Sequence, residues 1–521
     1  MGKITGGELL VETLRNQGVL NVFSIIGGQM CSIYDALSRR PDMKLVTVRN
    51  EAAAPMMAAG CTAITGIPSV SMCTVGAGVV YEVAGLMAAW YHYLPVISIA
   101  PQVQSWKMKP HQENLQGCNQ DEIFYPITKW NAIVYHWERI PSLVNRALRE
   151  AQANSPGPAH LDIPVDILFQ TKKFNDHVKS NILPPAANTR VTGALPGVKE
   201  DVEKAREAIH NSGKIIVLVG QGMGRPGHYP KIRDHLKNLR CPVLTSDSSS
   251  GIMNGGDGSY AEALGLFSSS EKGIELIKES DLLLIIGIDD QIHDLFAKLG
   301  NDLPSMIQVE IDPSALLVTR PNLFSVNADP VSFLSTIEQS AEKVDRLRKE
   351  WLLKVKGTGD KLAEEFGENS PQTRDLFKGI AAGLTEDDVL VVDGAGTVEA
   401  AYAFLRHAKY RNLFIMNTRE MSGTGLPFAM GAQIGMPRER VTLMTDKDSL
   451  CRRLQELQTA CGLGMNLTIV CIDPGTQNAL ARTEAILDGL GCEISHLKVG
   501  ESPQHAKSGR PMACLFNYQS S

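Results

Sequence analysis

Residues 441–450, VTLMTDKDSL, place Asp446, Lys447, Asp448 and Ser449 where an apolar strand runs into a helix. Strand ends and helix N-termini converge at such turns, which are favoured places for phosphates and metal ions. A lysine there can act on a phosphate as a point charge, whereas a carboxylate repels phosphate and suits a hard cation. Both stand side by side here, so Lys447 either bridges to an anion or closes an internal Asp–Lys–Asp ion cluster. The flanking acids make the cluster the simpler reading. Asp448 or Ser449 is expected to cap the following helix, whose apolar face would be Leu450, Leu454, Leu457 and Cys461. A second glycine-bearing turn, VLVGQGMGRPG, carries Gly220, Gly222 and Gly224 after a strand. It departs from a dinucleotide fingerprint because Arg225 replaces the last glycine, and it reads as a tight turn. The serines of TSDSSSG (245–251) form a loop without a nucleophile elbow.

At 521 residues the chain is long enough for roughly two to four domains. Hydrophobic residues make up 43% and charged residues 21%, the balance of a globular protein. The net charge of −6 argues against nucleic acid or an anionic membrane as partner. No apolar run reaches spanning length, and MGKITGGELLVETLRNQG reads as an amphipathic start rather than a signal peptide. The ten cysteines are scattered without zinc-site spacing, as expected of reduced thiols in a cytoplasmic protein.

Residues so far apart can act together only on a common scaffold. Short apolar runs alternate with helical stretches, which implies an α/β fold of three open parallel-sheet domains. Candidate strands are 21–26, 45–48, 69–74, 95–100 and 160–164 in the first block. They are 214–219, 242–245, 282–286 and 307–311 in the second, and 389–392, 412–416, 441–445 and 467–472 in the third. Residues 1–170 then form the first domain, 171–200 a polar linker, 201–340 the middle domain, 341–370 a charged helical connector and 371–521 the last domain.

ITGGELLVETLRNQGV, VRNEAAAPMMAAG, NLQGCNQDEIFYPITKW, VLVVDGAGT and GLPFAMGAQIG resemble thiamine-diphosphate (ThDP) enzymes of the acetolactate synthase, benzaldehyde lyase and 2-hydroxyacyl-CoA lyase type. The resemblance spans nearly the whole chain. It implies pyrimidine-binding, middle and diphosphate-binding domains in that order, a small-molecule substrate, and sites shared by two subunits of a homodimer or homotetramer. It further implies that Glu51 touches the cofactor's aminopyrimidine ring and promotes proton transfer. A carboxyl at a strand end in an apolar cleft suits that task, although a plain helix-start glutamate is the alternative. Gln116 matches the glutamine that lines the reacting carbon. Gln29 stands where the benzaldehyde lyase group carries a histidine; an amide donates and accepts hydrogen bonds but shuttles no proton. His111, near Gln116 in sequence, either takes over that role or is a surface-loop histidine. On the diphosphate side the resemblance points to Gly394, Gly396, Thr397, Ser422, Lys447 and Ser449 as cofactor-binding positions.

The same resemblance exposes departures. Lys447 takes the place of the family's metal-binding aspartate, and Asp473 and Pro474 take the place of paired asparagines that supply a further ligand. Mg²⁺ needs hard oxygen ligands. Two unit charges about 4 Å apart interact by about 4 kcal/mol at an effective dielectric near 20, so reversing one sign costs several kcal/mol. No metal ligand set is therefore expected, and ThDP stands as a possibility by resemblance alone. Tyr81 replaces an asparagine, Ser422 replaces the apolar residue that props the cofactor (with Met421 adjacent), and the stretch after Asp473 is too short for the usual covering loop. Three readings stay open: a carbon–carbon lyase or carboligase lacking standard Mg²⁺-dependent ThDP binding; a ThDP-independent enzyme with Glu51 as acid/base; and a non-catalytic binding or regulatory homologue.

Overall fold

The computed structural model describes residues 2–174, 183, 195–223, 229–255, 258–265, 271–299, 303–316, 323–337, 345–355, 367–368, 370–405, 408–416, 421–473, 477–498, 500–506 and 509–517. The chain divides into two compact units. The first comprises residues 1–192 with 426–438 and 453–465, and the second 193–425, 439–452 and 466–521.

The first unit is built on a six-stranded parallel sheet in the order β3-β2-β4-β5-β7-β6. Its strands are β2 (Asn21–Ser24), β3 (Lys44–Thr47), β4 (Ser69–Met72), β5 (Val96–Gln102), β6 (Trp130–Ile133) and β7 (Ala159–Pro164). β4, β5 and β7 are buried along their whole length, as strands covered on both faces must be. β1 (Gly2–Thr5) pairs antiparallel with β8 (Thr171–Phe174), so the expected linker opens with a strand. Thr5 and Glu8 form a reciprocal capping box at the start of the helix Gly6–Asn16. The helix Ala53–Thr65 is built from small apolar residues and buried nearly all round. Small side chains let another helix, Gly425–Gly435, come close: a Cβ on Gly60 would collide with the Phe428 carbonyl, and one on Gly431 with the Met57 carbonyl.

The second unit holds two more six-stranded parallel sheets. One has the order β11-β10-β9-β12-β13-β14. Its strands are β9 (Ile215–Val219), β10 (Val243–Ser246), β11 (Tyr260–Leu264), β12 (Leu282–Ile286), β13 (Ser305–Glu310) and β14 (Leu323–Asn327). The other runs β16-β15-β17-β18-β20-β19. It contains β15 (Asp388–Asp393), β16 (Asn412–Ile415), β17 (Arg440–Asp446), β18 (Leu467–Asp473), β19 (Glu493–His496) and β20 (Met512–Asn517). Three parallel-sheet α/β layers are therefore present. Of the helical connector, Asp345–Val355 is described; it seats Trp351, whose indole N–H donates to the Ile215 carbonyl at 3.1 Å. The helix Gln477–Gly489 starts four residues beyond the last residue of β18, Asp473.

One local expectation is corrected. The residues after β17 form two short helices, Lys447–Cys451 and Glu456–Gly462, rather than one with a continuous apolar face. Leu450 and Leu457 are buried, while Leu454 and Cys461 are half-buried. The N-cap is Asp446, not Asp448 or Ser449: its carboxylate accepts the Ser449 N–H at 2.7 Å.

Candidate functional site

In a parallel sheet all turns after the strands emerge on one edge, where ligands commonly bind. In the first unit the turn after β2 carries Gln29, the turn after β3 carries Glu51, the turn after β4 carries Thr74–Gly78, and the long loop after β5 carries Gln116. The structure joins two of the expected residues directly. Thr74 Oγ1 donates to Gln29 Oε1 at 2.8 Å, and Gln29 Nε2 donates to Gln116 Oε1 at 2.9 Å. This relay fixes the sense of both amides. Gln116 is exposed, and among the described residues nothing accepts from its amide nitrogen.

Backbone geometry supports the relay. Gln116 adopts φ 63°, a left-handed conformation that costs a side chain-bearing residue and persists only when its surroundings hold it. Gly76, at φ 79°, packs against it; a Cβ there would lie 2.7 Å from the Gln116 carbonyl oxygen. Half-buried Glu51 comes into the same neighbourhood, with Oε1 3.6 Å from where a Cβ on Gly78 would stand. His111 lies in the loop that carries Gln116 and is half-buried. Both its ring nitrogens are shielded and lack hydrogen-bond partners among the described residues. Tyr81 is 61% exposed.

Behind this edge lies a polar chain that the sequence reading missed. The Gly76 N–H donates to Gln120 Oε1 at 3.2 Å, and Gln120 in turn donates to the Asp162 carboxylate. Asp162 Oδ1 meets His160 Nε2 at 3.1 Å, and His160 Nδ1 meets Ser98 Oγ at 2.9 Å. Ser98 reaches Glu82, which also accepts from Ser71 Oγ at 2.6 Å and from the Cys73 thiol at 2.8 Å. Phe124 stacks on His160 at 3.6 Å between ring centroids. Ser98, His160 and Asp162 have the order of a nucleophile relay, yet all three are fully buried and no substrate reaches them. Burial raises the Glu82 carboxyl and raises the Cys73 thiol well above its ordinary range, the nearby Glu82 adding to the latter. A buried glutamate one residue after Tyr81, opposite serines on two strands, is the sequence signal for this network.

The other expected positions lie in the second unit. Gly394 caps the helix Ala395–Phe404 at φ 93°; Gly396 borders open space, and Thr397 is buried. Asp393 at the end of β15 gathers backbone donors: Oδ1 accepts the Gly394 N–H at 2.8 Å, and Oδ2 accepts those of Gly423 and Gly425 at 3.0 and 2.9 Å. Asp446 Oδ1 takes the Ser449 N–H, while Oδ2 lies where a Cβ on Gly394 would collide with it. The backbone donors of three adjoining turns are thus already engaged by two of the chain's own carboxylates. Ser422 and Ser449 share a hydroxyl–hydroxyl bond of 2.6 Å. Met421 is 42% exposed, Lys447 half-buried and Asp448 exposed. Pro474 lies outside the described residues.

The glycine turn after β9 also resolves physically. A Cβ on Gly220 would collide with the Gly287 carbonyl, and one on Gly222 would lie 2.8 Å from that of Ile288. Asp289 accepts the Gln221 N–H at 2.9 Å and the Ser246 hydroxyl at 2.5 Å. These glycines serve close packing of two strand-end turns, with a carboxylate on the amide that a nucleotide phosphate would want. Gly224 and Arg225 lie outside the described residues. In the serine-rich stretch, Ser249 is buried and donates to the Val219 carbonyl at 2.7 Å.

Comparison with known proteins matches three stretches to one family. Residues 4–123 match the N-terminal TPP binding domain of thiamine pyrophosphate enzymes, 202–337 their central domain and 394–487 their C-terminal TPP binding domain. The chain is 27% identical over 472 residues to the acetolactate synthase large subunit of Buchnera aphidicola subsp. Schizaphis graminum, covering 88% of this chain and 80% of that protein. It is 27% identical over 483 residues to the acetolactate synthase large subunit of Haemophilus influenzae, covering 91% and 82%. It is 25% identical over 490 residues to acetolactate synthase of Bacillus subtilis, covering 92% and 83%.

Proposed function

Because the chain belongs to the thiamine pyrophosphate enzyme family, of the acetolactate synthase type, we propose that it is a carbon–carbon lyase or carboligase. Its substrate would be a 2-oxo acid, a 2-hydroxyacyl compound or an aldehyde, and it works without the standard magnesium-dependent hold on ThDP. The observation that carries the enzyme reading is the Thr74–Gln29–Gln116 relay on the strand-end edge that also bears Glu51. The relay aims an amide donor at a ligand oxygen, which suits a carbonyl. Glu51 can give or take a proton beside it.

The residues of the second unit do not fit a magnesium diphosphate. A diphosphate needs N–H donors, and those of Gly394, Gly423, Gly425 and Ser449 are held by Asp393 and Asp446. An ammonium at 447 repels the metal that would bridge diphosphate to protein. The same two carboxylates favour a second reading, in which ThDP is not used and Glu51 alone exchanges protons with a carbonyl ligand.

Calorimetric titration with ThDP, in Mg²⁺ and in EDTA, decides between them. Binding indifferent to EDTA supports a metal-free ThDP enzyme. No binding, with turnover of carbonyl substrates lost in Glu51→Gln, supports the second reading. Binding that requires Mg²⁺ overturns both.

Exposed apolar side chains support a homodimer or homotetramer of this chain. Val80, Tyr81 and Trp90 are exposed on the helix Ala77–Tyr91, and Leu115 and Tyr125 are 91% and 75% exposed. Light scattering is expected to give a mass of two or four chains.

A further inference from the structure

We propose that Glu456 is the positioning residue for Glu51, holding the backbone turn on which Glu51 stands with a strength that depends on pH. Glu456 lies about four hundred residues further along the chain, yet both belong to the first unit. The Arg49 N–H is shared between its two carboxylate oxygens, at 3.0 and 3.2 Å. Three residues on, Thr459 Oγ1 donates to the Thr47 carbonyl at 3.1 Å. The helix Glu456–Gly462 therefore grips the end of β3 at two points. From there the turn is continuous: Asn50 Oδ1 accepts the Ala52 N–H at 3.0 Å, the Asn50 carbonyl accepts that of Ala53 at 3.0 Å, and the Glu51 carbonyl accepts that of Ala54 at 3.2 Å. Glu51 stands two residues past the anchored amide. Loosening the anchor loosens Glu51.

The pH dependence follows from where the anchor sits. Glu456 is buried, and burial lifts its carboxyl from an ordinary 4.5 to about 7. The groups opposing this are the backbone N–H donors of Arg49 and Asn50 and the charges of Arg453, on its own segment, and of Arg49, on the turn. The closed turn therefore holds the Glu456 proton more tightly than an opened, solvated one. The grip on Arg49 is fullest below about pH 4.5 and is lost as pH rises to about 7.

The role of Glu51 as a proton-exchanging group rests on the function proposed above; the grip does not, and the test keeps the two apart. Amide hydrogen exchange of the full chain, corrected for intrinsic rates, is followed in peptides covering residues 47–54 from about pH 5.5 to 8.5, spanning a perturbed carboxyl near neutrality. Protection in the wild type is expected to fall roughly tenfold or more across that range, as the closed turn loses the advantage of holding the Glu456 proton. Glu456→Gln should remove the step. Thr459→Val, which cuts the other grip, should keep it, and unchanged protection of β4, β5 and β7 shows that the first unit of each variant is folded. A step of equal size in Glu456→Gln, or none in the wild type, overturns the proposal. Neither readout needs substrate or cofactor, so a failed ThDP titration leaves it standing.

Discussion

Single side chains do opposite work in the two halves of the molecule. Gln29 and Gln116 form one hydrogen-bonded relay, and Gly76 is what lets Gln116 keep its left-handed backbone. Gly76→Ala adds a strained φ and a Cβ 2.7 Å from the Gln116 carbonyl. It is expected to cost about 1–3 kcal/mol and to disturb ligand binding more than overall stability, read by melting temperature against ligand titration. Asp446 works by occupation: it takes the Ser449 N–H that an external anion would need. Glu310 makes a different kind of prediction. It accepts the Ile288 N–H at 2.6 Å and is buried, and burial raises its carboxyl from 4.5 to about 8. The folded state then holds the proton more tightly than the unfolded chain. Its contribution to stability is complete below about pH 4.5 and is lost as pH rises to about 8, on the order of 4 kcal/mol in all. Melting temperature should fall over that window, and Glu310→Gln should flatten the fall. Glu51, Gln29 and Gln116 were legible from motif position. Thr74, Gln120 and Glu456 were not, because nothing local in a threonine or a glutamine marks the partner it will meet after folding.

Among the elements, apolar runs flanked by turn residues located thirteen strands. β1, β6, β11, β14 and β20 were missed: β6 is only half-buried, so its residues need not be uniformly apolar, and β11 and β14 carry polar residues inside short runs. β8 was taken for linker because TKKF alternates on an edge pair with β1 rather than in a buried sheet. The single helix expected after Asp446 is two, since the first is closed after one turn and Arg452–Gln455 redirect the chain. The helices Ala53–Thr65 and Gly425–Gly435 approach closely, made possible by Gly60 and Gly431. Gly60→Ala and Gly431→Ala should each destabilise by about 1–3 kcal/mol through overpacking, measured by thermal melting. Surface alanine substitutions at Gly396, which borders open space, should not.

At the scale of the whole molecule, segments 426–438 and 453–465 join the first unit although their neighbours in sequence join the second. Covalent order and spatial membership diverge there, which is how a glutamate at 456 comes to hold a turn at 49. No helix among the described residues is long and apolar enough to cross a membrane. The sequence by itself determined the three α/β layers and the family, because apolar periodicity and strand-end motifs are local and survive as patterns along the chain. It also put a lysine between two aspartates at the strand-end turn 446–448, because a charge is visible in a single letter. Only the tertiary structure decided that Asp446 engages the helix amide, that Gln29 and Gln116 form one relay, and that Glu456 anchors Arg49. The last two are hydrogen bonds between residues far apart in sequence, and neither exists until the chain has packed.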